Sequence, residues 1–410
     1  MSTESLEISL YGQKIALLER TGGSWLLEFN RAYQHAVPRP ILSQTFEDRD
    51  LRRPRQSREL FRFFRNLLPE GALRTMILKS EGLTDNDVAL LARLGQDLPG
   101  AVTVKSTELS APGVDPVPDR AGDERVATRK DGSLRFSLAG VQPKFSAHIA
   151  GDDRITVPAS GLGGRWIVKL PTAHYPHLPE VEFSMMEWAR QAGFEVPEVR
   201  LLDASMLSPE FPSFGSPSEL IYACRRYDRT ESDARLHQED FAQVFDFGPE
   251  HKYEMDVVRL AQGMKRVLGD PLPFLRRLLF DLACGNGDAH LKNWSLLYRE
   301  PHRPSMAPCY DLVATILYMP DDTPGLKYPD APGFGQIDRR AFQTLLRQVA
   351  SDTEATWADL SATATRIRDA WTRISPTLPL SETQRAVIEK HMDAVPLLID
   401  LTTPGAVPPA

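Results

Sequence analysis

The chain has 410 residues, 42% hydrophobic and 25% charged, which suits two or three packed units and excludes a mainly disordered protein. A formal net charge of -7 lacks the basic excess on which a dedicated nucleic-acid binder depends, so DNA contact is expected only through a partner. Cys224, Cys284 and Cys309 show no metal-ligand spacing, the N-terminus has no signal-peptide pattern, and no apolar run reaches bilayer length. The expectation is therefore a cytoplasmic protein with no membrane association.

Short apolar runs at Leu6–Leu10, Lys14–Glu19 and Trp25–Phe29, punctuated by Tyr11-Gly12 and Gly22-Gly23, predict a strand meander. The basic patch Arg52-Arg53-Pro54-Arg55 reads as a solvated loop. A helix capped by Ser57 is expected next, with Leu60, Phe63, Phe64 and Leu67 as its stripe and Pro69-Glu70-Gly71 as its stop. Helical patterns follow at Leu73–Leu78 and Asn86–Leu94, then a strand over Gly100–Val104. From about Ser106 to Gly132 proline, glycine and charge dominate, as in a linker. A second β-rich stretch, from Leu134 to about Tyr227, has candidate strands at Phe136–Leu138, Phe145–Ile149, Trp166–Lys169 and Glu219–Tyr227, with one helix at Glu180–Ala192. From about Gln238 the pattern is mostly helical, the last helix spans Glu382–Leu401, and the Pro-rich tail Thr402–Ala410 is expected to fray. A β-rich lobe with one helix before a helical lobe suggests a two-lobed enzyme with a cleft.

The chemistry concentrates in Gly287-Asp288-Ala289-His290-Leu291-Lys292-Asn293. Asp288 and Asn293 are five positions apart, and a second acid, Asp311 in Tyr310-Asp311-Leu312, follows eighteen residues later. Upstream, Ile167-Val168-Lys169-Leu170-Pro171 sets a lysine in an apolar strand. Phosphoryl transfer from ATP needs this set: an aspartate to take the proton of the attacking hydroxyl, an asparagine oxygen and a second aspartate for Mg²⁺, and a strand lysine against the phosphates. The protein-kinase catalytic loop has the same Asp-to-Asn spacing. Singly, each residue has a plainer reading: Asp288 capping a turn, Asp311 capping a helix, His290 a core histidine. Together and in this order they favour a kinase. A loop between two apparent strands, Ser137-Leu138-Ala139-Gly140-Val141-Gln142-Pro143-Lys144, has a single glycine, so it is neither a Walker A loop nor a kinase glycine-rich loop.

These segments, with Leu67-Leu68-Pro69-Glu70-Gly71, Gly100-Ala101-Val102, Arg226-Tyr227-Asp228-Arg229 and Gln238-Glu239-Asp240, resemble the HipA family of serine/threonine kinase toxins over nearly the whole chain. The resemblance implies an α+β, two-lobed fold like that of protein and phosphoinositide kinases, with an N-terminal β-rich subdomain and a mostly helical C-terminal lobe. The implied division is 1–105 for the N-terminal subdomain, 106–132 for the linker, 133–229 for an ATP-binding lobe, 230–401 for a helical catalytic lobe and 402–410 for the tail. It implies Asp288 as base, His290 and Lys292 as catalytic-loop residues, Asn293 and Asp311 as Mg²⁺ ligands, and Lys169 as the ATP lysine. Ala139, Gly140, Val141, Gln142 and Lys144 would cover the phosphates, and Arg225 to Tyr227 would form the adenine hinge. Ser137, two residues after Arg135, matches the serine whose autophosphorylation switches the family off, because a new dianion beside a phosphate site repels ATP.

The sequence departs from the family at Arg225, where an acidic residue is usual, and Pro143 removes a backbone donor from the phosphate loop. Glu182 is open between an ion pair with Lys169 and a surface position. The implied partner is a HipB-like helix-turn-helix antitoxin, the implied substrate class is protein, and known family targets include aminoacyl-tRNA synthetases. The alternatives are a small-molecule phosphotransferase of the antibiotic-kinase type and a non-catalytic ATP-binding regulatory protein.

Overall fold

The computed structural model describes residues 5–47, 50–107, 144–151, 153–156, 164–172, 174–207 and 219–403. The loop residues Ser137, Ala139, Gly140, Val141, Gln142 and Pro143, the strand expected at Phe136–Leu138, most of the expected linker and nearly all of the tail lie outside them. Two compact units form: Met1–Leu170, Leu202–Pro249 and Leu297–Arg303 make the first, and Pro171–Leu201, Glu250–Leu296 and Pro304–Ala410 the second.

In the first unit, β1 (Ser5–Leu10), β2 (Gln13–Thr21), β3 (Ser24–Phe29), β4 (Arg55–Ser57) and β5 (Val102–Ser106) build an antiparallel sheet in the order β4-β3-β2-β1-β5. Alternation sets its faces: Leu6, Ile8 and Leu10 of β1 are buried, with Leu18 and Leu27 on the neighbouring strands. Around it lie α1 (Arg31–His35), α2 (Gln44–Glu47), α3 (Arg62–Arg65), α4 (Gly71–Glu81) and α5 (Asp87–Leu94), the last capped by the Asn86 side chain. A second sheet has the order β7-β6-β8-β10-β9, from β6 (Lys144–Ile149), β7 (Ile155–Thr156), β8 (Trp166–Lys169), β9 (Val199–Asp203) and β10 (Leu220–Arg225). One apolar core joins the two sheets, running from Phe63, Phe64, Leu90 and Val104 to Phe145, Val168, Ile221 and Ala223.

A buried ion cluster ties the same sheets. Arg226 donates to both carboxylate oxygens of Asp228 at 2.9 Å and to Asp97 at 3.3 Å; Arg229 reaches Asp228 at 2.8 Å and Asp97 at 3.2 Å; Asp228 accepts the Gly100 N–H at 2.8 Å. Burial opposes both charges, yet Asp228 and Asp97 hold the Arg226 guanidinium above its ordinary pKa, and Arg226 and Arg229 hold the Asp228 carboxyl below the usual carboxylate range. The Arg226-Tyr227-Asp228-Arg229 motif is therefore a structural latch.

The second unit is helical: α6 (Leu178–Gln191), α8 (Val257–Leu268), α9 (Leu272–Cys284), α10 (Arg339–Val349), α11 (Thr353–Ile374), α12 (Glu382–Met392) and α13 (Pro396–Thr402). Its core centres on Trp188, whose ring lies 4.6 Å from that of Trp371 and 4.9 Å from that of Phe280, and whose Nε1 donates to Ile367 O at 2.8 Å. Glu182 on α6 is buried, so it is not a surface residue.

Three expectations about elements are corrected. Ser57 caps nothing: it pairs with Trp25 at the end of β4, and the expected helix shrinks to the single turn α3, whose cap position is Phe61. The stretch after Gln238 is mostly helical, as expected. Beside α7 (Phe241–Val244) it holds strands of a third sheet, β11 (His237–Asp240), β12 (Ser295–Glu300) and β13 (Arg303–Met306), in the order β11-β12-β13. The final helix is two, because Pro396 starts a new helix and disfavours helical backbone at Val395. The basic patch is partly strand: Arg55 opens β4, while the exposed Arg52 pairs with Asp50 at 2.9 Å. Among the described residues no helix is long and apolar enough to cross a membrane, and all three cysteines are free and buried.

Candidate active site

In the first unit Lys169 ends β8 between two strands, its Cα paired with Lys144 of β6 on one side and Tyr222 of β10 on the other. Its side chain is buried, with the ammonium 5.6 Å from the centre of the Tyr222 ring. At the end of β10, Arg225 pairs with Glu231 at 2.5 Å and the Tyr227 hydroxyl donates to Gln238. Both side chains are thus engaged within the unit.

The second unit carries the Asp/Asn loop. Helix α9 stops at Gly285, whose left-handed φ of +67° lets the chain turn sharply and whose N–H returns to Asp281 O. The next turn is crowded. A Cβ on Gly287 would lie 1.9 Å from Oδ2 of Asp322, so any larger residue must displace that carboxylate. The Gly287 N–H donates to the Thr315 hydroxyl oxygen at 2.7 Å, and that hydroxyl donates to Asp322. Asn286 lends both ends of its amide: Nδ2 donates to Asp281 Oδ1 at 2.8 Å, and Oδ1 accepts the Asp288 N–H at 3.1 Å.

The turn delivers Asp288 with a half-exposed carboxylate that accepts a hydrogen bond from the Tyr253 hydroxyl. His290 follows, buried, its Nε2 3.9 Å from Asp288 Oδ1 and its ring edge-on to Tyr253 at 5.0 Å. Burial pushes the His290 imidazole down to about 4, with the Asp288 charge opposing, so it is neutral at pH 7. Asn293 is buried, and its Nδ2 donates to Asp288 O at 2.9 Å. That bond fixes the amide plane and turns its oxygen the other way. Lys292 is part-buried in the single 3₁₀ turn Leu291–Asn293.

Asp311 is brought to the same loop by its neighbour Tyr310, whose hydroxyl donates to Lys292 O at 3.0 Å. The buried Arg277 of α9 completes the link, donating from one Nη2 to Asn293 O at 2.7 Å and Tyr310 O at 3.1 Å. Asp311 sits at φ +52°, a left-handed conformation that costs a non-glycine residue energy and recurs at functional sites. It is no helix cap: the next helical turn starts at Thr315 with Ala314 in the cap position.

The structure thus groups Asp288, His290, Lys292, Asn293 and Asp311 in the second unit, and Lys144, Lys169, Arg225 and Tyr227 in the first. Sequence reasoning missed Tyr253, Arg277, Asp281, Asn286, Thr315 and Asp322. Only Arg277 and Asp281 left a signal, as a base and an acid four apart in a run that, Arg276 aside, is apolar from Phe274 to Leu282. Burial raises the Asp281 carboxyl to about 6, against the opposing pull of Arg277. The donor set of one carboxylate and one oriented amide oxygen fits Mg²⁺, a hard cation that keeps several waters. Among the described residues no cluster of three His, Cys, Asp or Glu could hold a metal on protein ligands alone.

Comparison with known proteins agrees across the chain. A HipA N-terminal domain model matches residues 6–105 and a HipA-like C-terminal domain model matches residues 136–376. The chain is 36% identical over 406 residues to the putative kinase Y4dM of Sinorhizobium fredii, covering 96% of this chain and 97% of that one. It is 28% identical over 295 residues to the serine/threonine-protein kinase toxin HipA of Shewanella oneidensis, covering 64% of each. Among solved structures, a complex of Shewanella oneidensis HipA, HipB and operator DNA matches with a TM-score of 0.71 over 95% of both chains at 22% identity. That likeness shows the fold: α+β, two-lobed and kinase-like.

Proposed function

The chain belongs to the HipA family, and from that membership we propose that it is an ATP- and Mg²⁺-dependent protein serine/threonine kinase acting as the toxin of a toxin–antitoxin pair. The observation that carries the reading is the loop in which Asn293 is locked to the carbonyl of Asp288 while the Asp288 carboxylate stays half exposed. In this reading the hydroxyl oxygen of the substrate attacks the γ-phosphorus, the bond to the β-phosphate oxygen breaks, and ADP leaves. Asp288 takes the hydroxyl proton, its carboxylate oriented by the Tyr253 hydroxyl. His290, neutral at working pH, adds no charge beside that base. Lys169 and Lys144 meet the phosphates, and Asn293 and Asp311 hold Mg²⁺, which neutralises phosphate charge when bound. Lys292 follows in the same loop, and backbone groups from Arg225 to Tyr227 read adenine. Ser137, with Ala139, Gly140, Val141 and Gln142, forms the phosphate-covering loop, and its phosphorylation shuts the site.

The partner is a HipB-like antitoxin through which any DNA contact runs, as supported by the fold shared with a HipA bound to HipB and operator DNA. The substrate is a protein hydroxyl; the aminoacyl-tRNA synthetases are the class to try first. The division into 1–105, 133–229 and 230–401 belongs to the same proposal.

Intact-mass analysis before and after Mg-ATP, beside Asp288→Asn, tests this. Wild type gains one phosphate, mapped to Ser137, and Asp288→Asn keeps ATP binding but loses transfer by roughly 10²–10⁴-fold. Undiminished transfer in Asp288→Asn removes the base assignment.

A further inference from the structure

One buried residue outside the proposed site braces two of its segments at once. Arg277 lies inside the second unit with its guanidinium against the Trp294 ring at 4.4 Å and the Tyr310 ring at 5.4 Å. From this aromatic slot a single Nη2 donates to Asn293 O at 2.7 Å and Tyr310 O at 3.1 Å. Asn293 and Tyr310 are sixteen and thirty-three residues away in sequence, yet their carbonyls are pinned to one group, and Tyr310 is the immediate neighbour of Asp311, the second proposed magnesium ligand beside Asn293. One helical turn along α9, Asp281 holds the other end of the loop through Asn286, whose amide accepts the Asp288 N–H. Both ends of the segment 288–293 therefore rest on two side chains of one helix.

The ion pair itself does not explain this arrangement. The closest Arg277–Asp281 approach is 3.9 Å, and a buried ion pair of that geometry returns little of the desolvation cost of its charges. Lysine could not replace the arginine in kind, because a compact ammonium has no plane to lay against the Trp294 and Tyr310 rings, which fix where the donating nitrogen sits. What the arrangement does set is the separation between two backbone segments. Mg²⁺ demands near-octahedral geometry at about 2.0–2.1 Å, so small drifts in its ligands translate into lost affinity.

The geometry points to Arg277, seconded by Asp281, as the positioning residue that holds the metal-binding Asn293 and Asp311 in register with the base Asp288. This rests on the kinase reading above and goes beyond it by placing the control of metal affinity in a residue that touches neither nucleotide nor metal. Outer partners of metal ligands are worth about 10–100-fold in affinity when removed.

The test is metal binding rather than turnover. Mn²⁺ is titrated into the full chain loaded with a non-hydrolysable ATP analogue and read by electron paramagnetic resonance. Wild type, Arg277→Lys, Arg276→Lys and Asn293→Ala are compared. Arg276 sits beside Arg277 on α9 but pairs with Asp359 at 2.7 Å, outside the loop. The expected result is about 10–100-fold weaker Mn²⁺ binding in Arg277→Lys, loss in Asn293→Ala and no change in Arg276→Lys, with metal-free nucleotide affinity equal throughout. A folded Arg277→Lys that binds Mn²⁺ as wild type does overturns the inference while leaving the kinase reading intact. Wild type that binds no Mn²⁺ overturns the magnesium assignment itself and this inference with it. Where Arg277→Lys fails to fold, Arg277→Gln combined with Asp281→Asn removes both buried charges together, and the same weakening is expected.

Discussion

Replacing Glu239 by glutamine should change how stability depends on pH without changing the shape of the residue. Glu239 and His237 lie two apart on β11, both fully buried. The Glu239 carboxyl accepts from the Ser43 hydroxyl at 2.5 Å, the Gln44 N–H at 3.1 Å and the Tyr298 hydroxyl. Burial outweighs these bonds and raises its pKa from 4.5 to about 7. Between those values the folded chain keeps a proton that the unfolded chain has released, so stability falls as pH rises, by about 3 kcal/mol over the window. His237 has the opposite sign. Burial lowers its pKa from 6.5 to about 4, with Nε2 2.7 Å from Leu42 O. Between those values the unfolded chain binds the extra proton, so stability rises with pH by a similar amount, again about 3 kcal/mol. In wild type the two slopes oppose each other from about pH 4.5 to 6.5, the overlap of the windows. Glu239→Gln removes only the falling slope. Urea midpoints for wild type and variant at half-unit steps from pH 4 to 8 give the difference directly, and all other titrating groups cancel in it. The variant should gain about 3 kcal/mol relative to wild type between pH 4.5 and 7. A difference constant to within about 1 kcal/mol across that range would refute the reasoning.

Gly287→Ala sets a methyl 1.9 Å from the Asp322 carboxylate and so displaces either the Asp288 loop or the Thr315–Asp322 contact. Transfer should fall about 100-fold with ATP binding kept, as single-turnover and nucleotide-binding assays would show. Arg226→Met leaves Asp97 and Asp228 short of a buried partner and should cost about 3–5 kcal/mol, read as a large drop in melting temperature; a drop of only a degree or two would mean the cluster is not a latch.

Local periodicity made much of the fold legible. The meander at Leu6–Phe29 and the strand carrying Lys169 emerge from alternation and turn glycines, and α6 from its 3.6-residue spacing. The failures lie where partners distant in sequence decide. Ser57 has a capping side chain and helical residues after it, but pairing with β3 claims it for a strand. His237–Asp240 is too short and too polar to announce a strand, and it is one because β12, more than fifty residues on, pairs with it. The candidate site shows the same division. Asp288, Asn293 and Asp311 could be singled out because phosphoryl transfer constrains their types and spacing. Asn286 and Tyr253 could not, because what constrains them is a hydrogen bond to a loop whose path only the folded chain reveals.

The latch of Asp97, Arg226, Asp228 and Arg229 bears on how the chain can be cut or inherited. Its acids and bases come from both sides of the gap between residues 105 and 136, where the two matching domain models part company. A fragment starting after that gap would expose the apolar face of its sheet and leave two buried arginines with Asp228 alone. A fragment ending before it would strand Asp97 without a cation. The two halves matched by separate domain models thus depend on each other for this cluster, and a viable exchange between relatives would have to swap residues 97–100 and 226–235 together.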